Sequence, residues 1–291
     1  MSVKLEHFTN NPQLEGMYQI KSGVVYSTQA GVELTLTIAY PWATDHAEEK
    51  PSFPLVVFIP GSGWMTPDQG WQLPQMGELA RRGFVVATVG HRNCVTDEAP
   101  LPAALMDVKC AIRYLRAHAA AFGIDAERVA VWGSSSGSHM AQLVGVTADD
   151  PRFETDEWAG FSDAVSAVVG CFGPSDFEAW CDYNEPGHDF DPIKGKLLVG
   201  TVEERRAMKS SLSAINYVNA ERSDALPAFL LGVGTADPWI EVTQVTRMAD
   251  ALDAAGADVQ AFVVDGGLHE ASFWSQAVLD EIWAFLDSRL R

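Results

Sequence analysis

The sequence predicts an α/β domain built on a mostly parallel, doubly wound sheet, and three observations carry that expectation. Short, continuous apolar runs recur at 55–59, 84–89, 164–169, 228–233 and 259–264, the pattern of strands covered on both faces. Stretches with helical spacing of apolar residues lie between them. Ahead of them, 18–26 and 32–40 are β-rich and alternating around Gln29-Ala30-Gly31, which reads as an antiparallel opening.

The elements follow in order. Residues 41–54 are polar and flanked by proline, so they read as a loop before the strand at 55–59. A turn, Pro60-Gly61-Ser62-Gly63-Trp64, leads to a helix at 73–82 that Gly83 stops. The strand at 84–89 opens into a loop over 90–100. A long helix then spans 102 to about 122, with Ala104, Val108, Ile112 and Leu115 at helical spacing and Gly123 at its end. A strand at 128–132, a helix at 136–146 and a strand at 164–169 come next. Residues 174–223 are richer in charge and aromatics and lack a strand period. They are expected to form a small helical cap inserted into a single domain spanning 1–291, rather than a second domain. The strands at 228–233 and 259–264 alternate with closing helices at 243–255 and 271–291.

Composition excludes several classes of partner. A formal charge of −19 repels polyanions, so neither nucleic acid nor an anionic membrane is expected. No apolar run approaches the roughly 20 residues that span a bilayer, and the first ten residues lack the apolar core of a signal peptide. A cytoplasmic location is therefore expected. Cys94, Cys110, Cys171 and Cys181 show no Cys-x-x-Cys spacing and no paired histidines, so they read as reduced, mostly buried thiols with no zinc site. The run 182–191, with Glu185 and His188, reads as a solvated loop rather than a metal site. No metal and no cofactor are expected. The oligomeric state stays open, a homodimer included.

The chemistry concentrates at strand ends, where such sheets collect ligands and reacting groups. Gly133-Ser134-Ser135-Ser136-Gly137 stands between the strand at 128–132 and the helix at 136–146, the strand–turn–helix setting of the G-x-S-x-G elbow. A carboxylate, Asp237, follows the strand at 228–233, with Glu241 and Asp250 as alternatives. His269 follows the strand at 259–264. A serine hydroxyl is a weak nucleophile until a base takes its proton, imidazole titrates in the working range, and a carboxylate orients it. The amides of Ser62, Gly63 and Ser136 are the expected donors to a developing oxyanion. His139, one helical turn past Ser135, reads as a core histidine. Trp64, Trp71, Trp180 and Trp239 fall near strand ends or in the cap; Trp64, Trp180 and Trp239, with His91, are expected to wall a substrate pocket.

Four segments together resemble the α/β-hydrolase superfamily, in its branch of acetyl esterases, feruloyl-esterase-like proteins and hormone-sensitive-lipase relatives. Phe58-Ile-Pro-Gly-Ser-Gly-Trp64 stands where that branch has a His-Gly-Gly-Gly-Trp-like oxyanion loop. Gly90-His91-Arg92 to Pro102-Ala103-Ala104 stands where it has a Tyr-Arg-Leu loop and a Pro-Ala-Ala helix start. The elbow, and Gly234–Asp237 with Gly267–His269, match its remaining loops. Pro60 and Ser62 depart from the oxyanion pattern, Ser134 replaces a frequent acidic residue, and His91 replaces a tyrosine. The resemblance implies a serine carboxylesterase acting on small-molecule esters of short or aromatic acyl groups, such as acetylated or feruloylated sugars. A serine peptidase or aryl formamidase on the same triad, and a non-catalytic binding protein on the same fold, are the alternative readings.

Overall fold

The protein is described from a computed structural model, over residues 3–47, 51–96, 99–182 and 196–291. Its strands are β1 (Tyr18–Gln29), β2 (Val32–Pro41), β3 (Phe53–Ile59), β4 (Val85–Val89), β5 (Ile124–Ser134), β6 (Ala167–Cys171), β7 (Ala228–Gly234) and β8 (Val259–Val264). Among the described residues they form one sheet in the order β1-β2-β4-β3-β5-β6-β7-β8. β1, β2 and β4 pair antiparallel, and every pairing from β4 to β8 is parallel. The β1–β2 turn sits on Ala30 and Gly31, at φ 51° and 82°, the positive values a tight hairpin turn needs. The continuous apolar runs lie where that pattern demands, since β3, β4 and β6 are buried almost residue for residue.

Helices cover both faces: α1 (Ala43–His46), α2 (Leu73–Arg81), α3 (Ala103–Ala117), α4 (Ala119–Phe122), α5 (Ser136–Val146), α6 (Phe177–Asp182), α7 (Val202–Ser211), α8 (Val242–Ala254) and α9 (Gln276–Leu290). Every residue of α5 is buried, so the helix that starts at the elbow is a core element. Four expectations shift. The loop at 41–54 contains the short α1, and the helix expected over 102–122 breaks at His118, whose ring stacks on Tyr114. The strand expected at 164–169 lies at Ala167–Cys171. The last helix starts only at Gln276, after a 3₁₀ turn at Ala271–Phe273. Cys94, Cys110 and Cys171 are buried and Cys181 is half-buried.

Within 174–223 the described residues hold α6, α7 and two 3₁₀ turns, Ala214–Tyr217 and Ala220–Ala225, and no strand. Residues 183–195, with Glu185 and His188, lie outside the described residues. The segment is tied to the body by side-chain bonds: Ser175 Oγ–H donates to Gln142 Oε1 on α5 at 2.7 Å, and Ser175 N–H to Gln244 Oε1 on α8 at 2.9 Å. No helix among the described residues is long and apolar enough to cross a membrane.

A buried cluster of charges lies away from the strand ends. Lys109 Nζ donates to Asp163 Oδ1 at 2.8 Å and to the Thr147 carbonyl at 2.6 Å, and the Arg113 guanidinium lies 3.7 Å from Asp163 Oδ2, all three charged side chains being buried. Removing the carboxylate leaves two cations in a dry interior. Asp163→Ala is therefore expected to lower the unfolding free energy by about 3–5 kcal/mol. Replacing the whole cluster, as Lys109→Met and Arg113→Met with Asp163→Leu, recovers most of that loss. Urea unfolding midpoints measure both effects, and a triple variant no more stable than Asp163→Ala contradicts the account.

Candidate active site

The elbow is a problem of space. A Cβ on Gly133 would stand 2.2 Å from the Gly137 carbonyl oxygen, and a Cβ on Gly137 would stand 2.0 Å from the Ile59 carbonyl oxygen. Only glycine fits either position, so β3, β5 and the first turn of α5 meet backbone to backbone. Between them Ser135 is held at φ 53° and ψ −124°, outside the regions an ordinary residue occupies. Its N–H donates to the Cys171 carbonyl at the end of β6 at 2.9 Å. The strained turn lifts the hydroxyl clear of the sheet edge.

Two other loops meet it there. Ser135 Oγ–H donates to His269 Nε2 at 2.8 Å, and His269 Nδ1–H donates to Asp237 Oδ2 at 2.8 Å. The second carboxylate oxygen, Oδ1, accepts the N–H groups of Trp239 and Ile240 at 2.8 and 2.9 Å. That fixes the carboxylate without a countercharge. The loops carrying Asp237 and His269 are packed against one another: a Cβ on Gly234 would lie 2.1 Å from the Gly267 carbonyl oxygen, which accepts the Ala236 N–H. Phe172 and Trp239 present ring edges to the imidazole at centroid distances of 4.8 and 4.7 Å, confining its rotation. Glu241 and Asp250 take no part in this line of hydrogen bonds.

The turn at 60–64 is held by residues on the elbow itself. Gly61 N–H donates to Ser134 Oγ and Ser62 N–H to Ser136 Oγ, both at 3.0 Å. Trp64, at φ 59°, turns its indole inward and donates Nε1–H to His139 Nδ1 at 3.1 Å. His139 Nε2–H in turn donates to the Leu212 carbonyl at 2.8 Å. The loop is thus bound to the first turn of α5 by two serine hydroxyls, and to the 174–223 segment through a buried imidazole. This corrects the expectation for Ser62, whose amide is engaged by Ser136 Oγ. The amides of Gly63 and Ser136 make no hydrogen bond among the described residues.

The expected pocket walls are corrected in three of four cases. Trp64 is 2% exposed, packed with His139, Phe177 and Trp180 in one aromatic cluster. Trp180 is 5% exposed and donates its indole N–H to the Trp239 carbonyl. His91 is buried, donating Nδ1–H to the Arg92 carbonyl. Each is drawn under the surface by apolar packing that a strand-end position does not reveal. Trp239 does face the cavity beside Ser135, a space of about 250 Å³ bounded by the 61–63 turn, Met65, Ser135, Trp239, His269 and Glu270. Met65 and Glu270 escaped the sequence reading. Glu270 was legible only as the neighbour of His269; its φ of 56° and the bond it accepts from Trp274 Nε1 at 2.6 Å have no sequence signature.

The chain is similar to known esterases in sequence and in fold. The BD-FAE family model matches residues 43–252. Esterase LipC of Mycobacterium tuberculosis (strain ATCC 25618 / H37Rv) is 30% identical over 216 residues, covering 73% of this chain and 51% of its own length. The chain spans about half the length of the curated relatives it matches. A truncated form of a carbohydrate esterase from gut microbiota superposes with a TM-score of 0.78 at 26% identity, over 93% of this chain and 96% of that one. Thermogutta terrifontis esterase 2, phosphorylated by paraoxon, shares the fold at a TM-score of 0.73 and 22% identity, over 97% of each chain.

The buried imidazoles make stability depend on pH. Burial pushes both His139 and His91 down from 6.5 to about 4. The unfolded chain therefore takes up these protons first, so stability is complete above about pH 6.5 and falls as the pH drops from 6.5 toward 4. Each group adds a slope of up to about 1.4 kcal/mol per pH unit inside that window. In His139→Gln, whose amide can accept from Trp64 and donate to Leu212, the slope is expected to be shallower by about one such increment. Urea midpoints followed from pH 7 to pH 4.5 measure it, and identical slopes count against the assignment.

Proposed function

The chain belongs to the BD-FAE family and has the α/β-hydrolase fold, and on that premise we propose that it hydrolyses carboxylic esters by a two-step serine mechanism. The observation that carries the reading is the unbroken line Ser135 Oγ–His269–Asp237, with 2.8 Å at each link. His269 takes the Ser135 proton as the oxygen attacks the ester carbonyl, while Asp237 keeps the imidazole in the tautomer whose Nε2 accepts. The amides of Gly63 and Ser136 receive the developing oxyanion, each such donor typically contributing ~3 kcal/mol to the transition state. The alcohol departs with the proton from His269. Water, activated by the same imidazole, then releases the acid and restores Ser135.

The cavity beside Ser135 suits a short or single-ring acyl group, with Trp239 as an aromatic wall. The likeness to esterases, one of them a carbohydrate esterase, supports esters over amides as substrates. Ser135→Ala and His269→Ala are each expected to lower kcat at least about 10⁴-fold without loss of fold. An organophosphonate should label Ser135. If His139→Ala abolishes turnover and His269→Ala does not, the base is misassigned. If p-nitrophenyl amides are cleaved and p-nitrophenyl esters are not, the substrate class is wrong.

Glu270 adds charge selectivity. It is the carboxylate on the cavity wall, next to the base and facing the 61–63 turn. A second negative charge ~8 Å away in a medium of effective dielectric 20–40 costs about 1–2 kcal/mol. Esters bearing a carboxylate should thus be poorer substrates than their neutral analogues. Glu270→Gln should shift the ratio of kcat/KM values for the two by about tenfold toward the anionic ester, and a ratio that does not move refutes the role.

A further inference from the structure

The turn that faces Ser135 carries an unfavourable residue at its tip. The Ser62 carbonyl accepts the Met65 N–H at 3.2 Å, which closes a β-turn over residues 62–65. Its two central residues, Gly63 and Trp64, stand at φ 61° and 59°, the mirror-image turn that glycine and asparagine ordinarily supply. Glycine takes such a backbone without strain, but a bulky tryptophan does not. Left to itself the turn would relax by rotating the peptide groups on either side of Gly63. The Gly63 N–H, which lines the cavity and makes no hydrogen bond among the described residues, would turn with them.

The side chain of Trp64 holds the turn in place. Its buried indole packs edge-on against His139 and Phe177, at centroid distances of 5.4 and 5.6 Å. Indole Nε1–H donates to His139 Nδ1 at 3.1 Å, and His139 Nε2–H donates to the Leu212 carbonyl at 2.8 Å. A neutral imidazole has one acceptor and one donor, so a single tautomer satisfies both partners and leaves no ring nitrogen to act as a base. His139 stands on α5, its N–H donating to the Ser135 carbonyl at 3.1 Å, so the ring is registered to the nucleophile's own helix. Leu212 follows the last residue of α7, so the same ring also reaches the 174–223 segment. Backbone strain of this kind persists only where the surroundings over-determine it, and it gathers at functional sites.

We propose that His139 is a positioning residue for ester hydrolysis: through Trp64 it fixes the Gly63 N–H as an oxyanion donor, and through Leu212 it makes the 174–223 segment a support of that donor. The proposal rests on the ester-hydrolase reading of the cavity.

The test compares His139→Leu, His139→Gln, Trp64→Phe and the double variant His139→Leu with Trp64→Phe on p-nitrophenyl acetate. Leucine cannot accept from the indole. Glutamine can accept from it and donate to Leu212, and phenylalanine keeps a ring without an N–H. Active sites are first counted by end-point titration with a p-nitrophenyl phosphonate, so that kcat refers to competent serines alone. Loss of one oxyanion donor typically lowers kcat about 10²–10³-fold. A donor displaced rather than removed loses less, so kcat per titrated site should fall about 10- to 100-fold in His139→Leu and in Trp64→Phe. Acylation and deacylation use the same donors, so KM should stay within about twofold of the wild-type value. His139→Gln should recover kcat to within about threefold of the wild type. The double variant should lose no more than either single one, because both break the same bond.

A purely structural role would lower the number of titrated sites and leave kcat per site unchanged, and that result overturns the proposal. So does a His139→Gln no more active than His139→Leu, or a double variant whose loss is the product of the single losses. If His139→Leu yields no titratable sites, Trp64→Phe decides, and a kcat within about twofold of the wild type overturns the role. A wild-type chain that neither titrates nor hydrolyses the ester fails the ester-hydrolase reading. One that hydrolyses it while the variants match it fails the positioning role alone.

Discussion

The candidate site depends on one steric constraint: at the elbow, three stretches of main chain approach so closely that no side chain fits between them. Gly133 and Gly137 are the residues that permit it. Because β3, β5 and α5 are locked together there, the end of β3 is held beside the nucleophilic turn, and the 60–64 turn that leaves it must pass over Ser135. A larger residue at Gly133 would push β5 off the first turn of α5, and one at Gly137 would push that turn off the end of β3, separating the amides and the hydroxyl that face one cavity. The positive φ of Ser135 is a cost of that arrangement, met by the complete burial of the helix that follows.

The same constraint accounts for the unusual chemistry of the 60–64 turn. Pro60 has neither an N–H nor a side-chain donor, so the turn cannot hold itself through that position. Its support comes from the facing residues instead. Ser134 and Ser136 flank the nucleophile, and their hydroxyls accept the first two amides of the turn. Trp64 continues the attachment inward to His139 and on to Leu212. The run of three serines in the elbow thus divides its labour: the outer two brace the turn, and the middle one faces the cavity.

The order of the elements, the parallel sheet and the line Ser135–His269–Asp237 were legible in the sequence because each is written locally. Apolar runs mark buried strands, glycines mark the elbow, and chemically distinctive residues sit just past strand ends. Side-chain direction was not legible. Trp64, Trp180 and Trp239 all stand near strand ends or in the inserted segment, yet only Trp239 faces the cavity, because the others are claimed by His139 and Phe177 at long sequence separation. Hydrogen-bond competition was equally hidden: nothing in Pro60–Trp64 reveals that Ser136 would occupy the Ser62 amide. Glu270 meets the 61–63 turn across about 200 positions of sequence, a separation that local patterns do not span.

The packing of Gly234 against Gly267 has a mechanical consequence. Asp237 and His269 leave adjacent strands, and their loops interlock through contacts no Cβ could share, so acid and imidazole move as one rigid piece. Ser135 leaves β5, with β6 and β7 standing between it and β8. Twisting or breathing of the sheet therefore accumulates at the Ser135–His269 link and hardly at all at the His269–Asp237 link. The slack of the whole assembly is gathered at the one joint where a proton has to cross.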